Sequence, residues 1–353
     1  CEAKAELGAY VTCIESLYNQ VEYHSFQHIF HAITSMNKLI EMVMNSQLSR
    51  ENVIEEEVYF MHFSMIFSVL IHDVAHTGMS NKILLDQNHA FVGKYGCLST
   101  AETLSIDLSI NILFHNEFSK IKCTILPTMH HKIKFGKVIF SSILCTDIAS
   151  SNQMKMCKTR FDAVKDMLDD NQHVMQHKKE ACDTQLCTLV SFKENFRKFA
   201  FLSDEELETY HSELVCTQKT LKSMVLIESL MQTADIAHTM QDWKNFVKWN
   251  YRLYKELMNC HRQGFMPNPS EHWSKGEIGF FEGYVIPLAT RTEFCFSNTT
   301  LKLVKFANDN LRRWRIQGDA ITKLFILGVE NQEAEEDVLR KCFSLSHSTG
   351  DLN

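Results

Sequence analysis

The chain of 353 residues is 45% hydrophobic and 22% charged, enough to bury a large core. Twelve Gly and four Pro are few for this length and favour long helices over turn-rich sheet. A net charge of −7 argues against a general nucleic-acid binder, and no stretch reaches the roughly 18–20 apolar residues of a membrane span.

The 12 Cys are scattered singly, without a CxxC pair or a secretory leader. That usage predicts reduced thiols in a cytoplasmic setting, packed as small apolar groups. The chain opens on Cys1 rather than Met, so any membrane anchor or regulatory module is expected to lie outside it.

Residues 10–45 show a helical pattern that contains YHSFQHIFHA. His24 and His28 fall one turn apart on one face of that pattern, and His31 follows three residues later. Imidazoles at this spacing suit a metal, yet His in a Phe-rich helix is commonly a packed core residue, and His31 reads that way.

Val58 to Asn81 reads VYFMHFSMIFSVLIHDVAHTGMSN. An apolar run of this length without Gly or Pro predicts a buried helix. It turns polar at His72 and Asp73, with His76 close behind and Thr77-Gly78 to end the helix. Buried ionisable groups must be paired, hydrogen-bonded or bound to metal.

Glu102 lies in a second amphipathic helix, STAETLSIDLSINIL. The run Ile139–Cys145 leads into Thr146 and Asp147, so a second apolar helix ends in a carboxylate. Residues 165–189 are polar and aperiodic and predict a surface insertion, with His173 and His177 facing solvent. Ser203, followed three residues on by Glu206, predicts a capping box. LKSMVLIESLMQTADIAH then delivers Asp235 and His238. After Trp243 and Trp249 comes GEIGFFEGYVIPLA. One or two helices close the chain over residues 301–340, and the tail SLSHSTGDLN is expected to fray.

His28, His72, Asp73 and Asp235 come from three predicted helices and share one chemistry. Two imidazoles and two carboxylates suit Zn²⁺ or a similar divalent ion. An Asp can bridge to a second, harder ion such as Mg²⁺. Two such ions activate water and clamp a phosphate. No P-loop or Rossmann glycine fingerprint is present, which favours hydrolysis over transfer to a second substrate.

These motifs carry a resemblance. YHSFQHIFHA resembles the YHxxxHxxxV element of class I cyclic nucleotide phosphodiesterases, with Ala32 in place of Val. HDVAHTGMSN is similar to their HDxxHxGxxN element, and LCTDIA and TADIAH to their TDM and ADxxN elements. GEIGFFEGYVIPL resembles their QxGFxxxxxxPL pocket helix. The resemblance spans residues 10–330 and implies an all-α, compact multi-helix catalytic domain, with residues 1–353 a single domain.

It further implies that His28, His72, Asp73 and Asp235 hold zinc, with Asp73 shared with magnesium or manganese. His24 falls at the proton-donor position. His76 and Asn81 would lie near the phosphate and its waters, and Phe280 would stack on the purine. Glu102, Thr146 and Asp147 would stand behind the ligands, and Trp249 would support the pocket. The substrate implied is a 3′,5′-cyclic nucleotide, cGMP or cAMP, released as the 5′-monophosphate. The alternatives are an HD-type phosphohydrolase acting on another nucleotide, or a weakened regulatory domain that binds a nucleotide without turnover.

Several positions depart from the family. Glu277 replaces its Gln, Ala75 an acid and His238 an Asn. Thr103, Leu104 and Ser105 replace Asn-His-His. An ionised Glu277 offers only acceptors, which suit guanine's N1 and N2 donors. On that basis the sequence predicts a preference for cGMP.

Overall fold

The apolar run that precedes His72 folds as the helix Glu55–Ile71. It is apolar on nearly every side, so it must be covered all round. Phe26–Asn45, Met129–Leu144 and Gln218–Asp235 pack against it, and Gln218–Asp235 also packs against the other two. Ala32, Met36, Met65, Val69, Val138, Met231 and Ala234 fill the seam. This computed structural model describes residues 2–45, 55–168, 192–199, 201–214, 218–295 and 302–348. Every secondary-structure element among them is helical, and the fold is all-α, as the composition suggests.

A second core surrounds Trp314, Phe246, Phe281, Phe325, Tyr251 and Tyr254. It is built from the helices Trp243–Arg262, Trp273–Phe280, Ile286–Cys295, Leu303–Glu330 and Glu335–Ser348. Phe281–Val285 forms a π-turn within the pocket segment. Asp235 is the last residue of its helix, between Ala234 of the first seam and Ile236 of this core.

Four local expectations are corrected. The predicted continuous helix over 10–45 is two, Glu2–Ser16 and Phe26–Asn45, so His24 sits in the connection rather than on the helix of His28. The helix before His72 ends at Ile71, not at Gly78. Side chains from the 17–25 connection hold that early end. Tyr18 donates to the Leu70 carbonyl at 2.7 Å, and Asn19 donates to the carbonyls of Ala75 and His76 at 3.1 and 3.0 Å. Ala75 adopts a left-handed φ of 61°, which breaks the helix there. The helix Met129–Leu144 likewise stops before Thr146 and Asp147, which lie in the following turn. The closing helix runs to Ser348, through half of the expected frayed tail.

The Ser203–Glu206 capping box is present. Of the proposed insertion, residues 165–168 form the end of the helix Ser151–Leu168. The rest, with His173 and His177, lies outside the described residues. No helix among the described residues is long and apolar enough to cross a membrane.

Candidate active site

The start of Phe26–Asn45, the turn after Ile71 and the end of Gln218–Asp235 bring four side chains together. His28 Nε2 lies 2.9 Å from Asp235 Oδ1 and 3.8 Å from Asp73 Oδ2. His72 Nε2 lies 3.3 Å from Asp73 Oδ2 and 3.4 Å from Asp235 Oδ1. Both imidazoles are buried. His72 Nδ1 donates to the Val69 carbonyl at 2.9 Å, which turns the Nε2 lone pair toward the carboxylates.

This donor set fits a divalent cation. Two partly buried carboxylates share one site, and Asp73 Oδ2 has no hydrogen-bond partner. His28, His72 and Asp235 meet the spacing of a three-ligand metal group. Burial opposes charge on His72, yet Asp73 and Asp235 outweigh it and push the imidazole up to about 9. Burial would raise Asp235, but its hydrogen bonds to His28 and His72 hold it well below the usual carboxylate range. The site asks for positive charge.

A second cluster stands beside the first. His24 Nδ1 meets Glu256 Oε1 at 2.5 Å. Glu256 Oε2 accepts the backbone N–H groups of Tyr23 and His24 at 2.7 and 3.1 Å. One carboxylate therefore fixes both the backbone and the ring of His24. Burial opposes the imidazolium, but Glu256 outweighs it and raises His24 to about 9. Burial likewise works to raise Glu256, and His24 brings it down to about 2.

His76 lies against His24, with ring centroids 3.8 Å apart. Its Nδ1 accepts from the Gly78 N–H at 3.1 Å, so Nε2 carries the hydrogen. Burial and His24 hold His76 down at about 4, so it is neutral.

Glu256 did not emerge from the sequence, where it follows Lys255 and resembles a surface charge. Its signal was present: it lies seven residues after Trp249, on the same helix face. Trp249 packs 5.5 Å from the His28 ring and 5.4 Å from His31, behind the candidate metal group. His31 hydrogen-bonds Gln241 at 2.9 Å. His238 is buried near Tyr23 and Trp249.

Asn81 donates to Glu102 at 2.9 Å and accepts from the Ala101 N–H at 2.9 Å. Burial and nearby Asp147 push Glu102 up to about 7, despite the Asn81 bond. Asp147 is buried and accepts from Ser99 at 2.8 Å. Thr146 turns its hydroxyl back to the Ile143 carbonyl at 2.8 Å.

Compared with known proteins, residues 23–305 match the family model of the 3′,5′-cyclic nucleotide phosphodiesterases. The chain belongs to this family. A probable 3′,5′-cyclic-AMP phosphodiesterase of Caenorhabditis elegans, pde-4, is 21% identical over 263 residues, covering 74% of this chain and 30% of that protein. A cGMP-specific 3′,5′-cyclic phosphodiesterase alpha of Plasmodium falciparum (isolate 3D7) is 20% identical over 354 residues, covering 96% of this chain and 30% of that protein. The chain thus spans 30% of the length of these curated relatives.

Two structures of the phosphodiesterase domain of a Salpingoeca rosetta rhodopsin phosphodiesterase share the fold. One has a TM-score of 0.59 at 18% identity, covering 93% of this chain and 83% of that one. The other has a TM-score of 0.61 at 17% identity, covering 90% and 85%.

The helix Trp273–Phe280 carries Glu277, where the family resemblance expects Gln. Glu277 is buried, with Phe280 partly buried three residues on, stacked on Tyr284 at 5.5 Å. Trp273 donates to the Asn250 side-chain oxygen at 3.0 Å, which leaves the Asn250 amide N–H groups for Glu277. Burial pushes Glu277 up to about 8 although the Asn250 hydrogen bond lowers it. Burial thus favours the neutral carboxyl, which can donate and accept as an amide does.

Proposed function

We propose that this chain hydrolyses a 3′,5′-cyclic nucleotide, cAMP or cGMP, to the 5′-monophosphate. Zinc, with magnesium or manganese beside it, would be held by His28, His72, Asp73 and Asp235. Bound there, the ions would supply an activated water and neutralise charge developing on the phosphate. One observation carries the reading: this ligand set lies beside an imidazole raised to about 9 by its own carboxylate.

The chain's own residues account for the proton. His24 is engaged through Nδ1 by Glu256, so Nε2–H is the proton free to leave. It passes to the 3′-oxygen as the P–O3′ bond breaks and the water oxygen bonds to phosphorus. Neutral His76 offers Nε2–H as a donor beside it. Asn81, held by Glu102, orients groups around the phosphate. Phe280 offers a stacking face to either purine, and protonated Glu277 presents one donor and one acceptor to the base edge.

Turnover of cAMP and cGMP by purified protein, with and without chelator, tests this function. Chelator-sensitive release of the 5′-monophosphate is the expected result. Product formed at the same rate in chelator, or a 3′-monophosphate product, would contradict it. Residues 1–353 as one catalytic domain, a cytoplasmic location and a regulatory domain elsewhere in the protein belong to the same proposal.

A further inference from the structure

The connection that carries His24 is anchored on both sides by charges that lead to the last helix. Two residues before His24, Glu22 accepts from Lys255 at 2.6 Å. Three residues after it, Gln27 accepts from Arg252 Nη1 at 2.6 Å. Arg252, Lys255 and Glu256 share one face of Trp243–Arg262, so one helix face grips the flanks of His24 and its ring together.

Both cations converge on Glu335. Arg252 reaches the two Glu335 oxygens through Nε at 3.2 and 3.0 Å and through Nη2 at 2.9 Å. Lys255 Nζ lies 3.5 Å from Glu335 Oε2. The Arg252 and Glu335 side chains are only 14% and 22% exposed, so solvent screens the pair only in part. Bidentate Arg–carboxylate geometry also fixes direction as well as charge. Arg252 further lies 5.0 Å over the Trp249 ring, which backs His28.

Glu335 stands in the first turn of Glu335–Ser348. That helix is seated closely: a Cβ on Gly328 would lie 2.5 Å from Val338. Val338 and Cys342 are fully buried. The position of Glu335 therefore depends on docking of the closing helix.

We propose that Glu335 is a positioning residue for proton donation, holding Arg252 and Lys255 so that Glu22 and Gln27 keep His24 on Glu256, and that the closing helix thereby sets the competence of the site. This deepens the proposed phosphodiesterase function and rests on His24 as proton donor. A structural role would impair every reaction equally. A positioning role impairs only those that need a proton on the leaving group.

The test compares Glu335→Gln with wild type on a cyclic nucleotide and on bis(p-nitrophenyl) phosphate, whose leaving group departs without protonation. The expected kcat on the cyclic nucleotide falls about tenfold, the scale of a small misplacement. KM, bound metal and the p-nitrophenyl rate are expected to stay within about twofold of wild type, since the acid step alone is touched. Equal loss on both substrates, or no loss on either, overturns the proposal while leaving the phosphodiesterase function standing. Wild-type protein inert toward both cAMP and cGMP would overturn the two together.

Discussion

His24 Nδ1 and Glu256 Oε1 meet at 2.5 Å, and the same carboxylate takes the backbone N–H groups of Tyr23 and His24. The pair keeps His24 charged to about 9. His24→Ala should lower kcat by roughly 10²–10⁴-fold, the usual worth of acid–base catalysis, with metals still bound. Zinc lost from that variant would make His24 a ligand instead.

The pair also sets a pH dependence. His24 is raised from 6.5 to about 9, so its stabilising contribution is full below 6.5 and is lost as pH rises through about 9. Glu256 is lowered to about 2, so its contribution is present above 4.5 and is lost as pH falls through about 2. In Glu256→Gln the alkaline limb of kcat should move to lower pH. An unmoved limb would detach Glu256 from proton donation.

Gly78 adopts a φ of +78°, and a Cβ there would lie 3.2 Å from Glu256 Cγ. Gly78→Ala should therefore act twice. Backbone strain should cost more than about 1 kcal/mol in chemical denaturation, and displacement of Glu256 should lower kcat roughly 10–100-fold. A variant that loses stability but keeps kcat would show that Glu256 tolerates the intrusion.

How much of this was legible in the sequence differed by residue. Asp235 was, because a long apolar helix that ends in an acid is hard to explain otherwise. His72 and Asp73 were, although the local backbone was read wrongly. Tyr18, more than 50 residues upstream, takes the Leu70 carbonyl at the helix end, and Asn19 takes the carbonyls of Ala75 and His76 in the turn beyond it. Periodicity holds no information about such a distant capture. His24 was placed on a helix by its spacing from His28, whereas Glu256 holds it in the connection. The charge state of Glu277 depends on burial, which residue identity alone does not give.

Arg160 and Glu228 form a buried pair between two helices, 2.6 Å apart with side chains 6% and 3% exposed. Glu228→Gln leaves a buried guanidinium without its partner and should cost about 3–5 kcal/mol. Replacing both residues by apolar ones of similar volume should recover much of that loss. Chemical denaturation of the single and double variants checks both expectations, and equal losses would deny the pair's coupling.

Burial raises Glu277 from 4.5 to about 8. Between those values the folded chain holds a proton that the unfolded chain has released, so stability falls as pH rises through this window. Glu277→Gln should lessen that fall. Ionisation near pH 8 should also shift kcat/KM toward cGMP, because the carboxylate then only accepts. A cGMP-to-cAMP ratio that stays flat with pH in wild type, or varies equally in Glu277→Gln, would remove Glu277 from base selection.

The proposed metal-ligand set bears the greatest weight, and Asp235→Asn tests it most directly. The substitution keeps size and shape while removing the charge closest to His28, which also lies 3.4 Å from His72. Bound zinc and turnover of both cyclic nucleotides should be measured on the same purified samples, before chelation and after resupply of zinc with magnesium or manganese. Wild type should lose activity with its metal and regain it on resupply, while Asp235→Asn should bind less zinc and stay inactive. Near-normal activity with normal metal content in Asp235→Asn would contradict this account of the site.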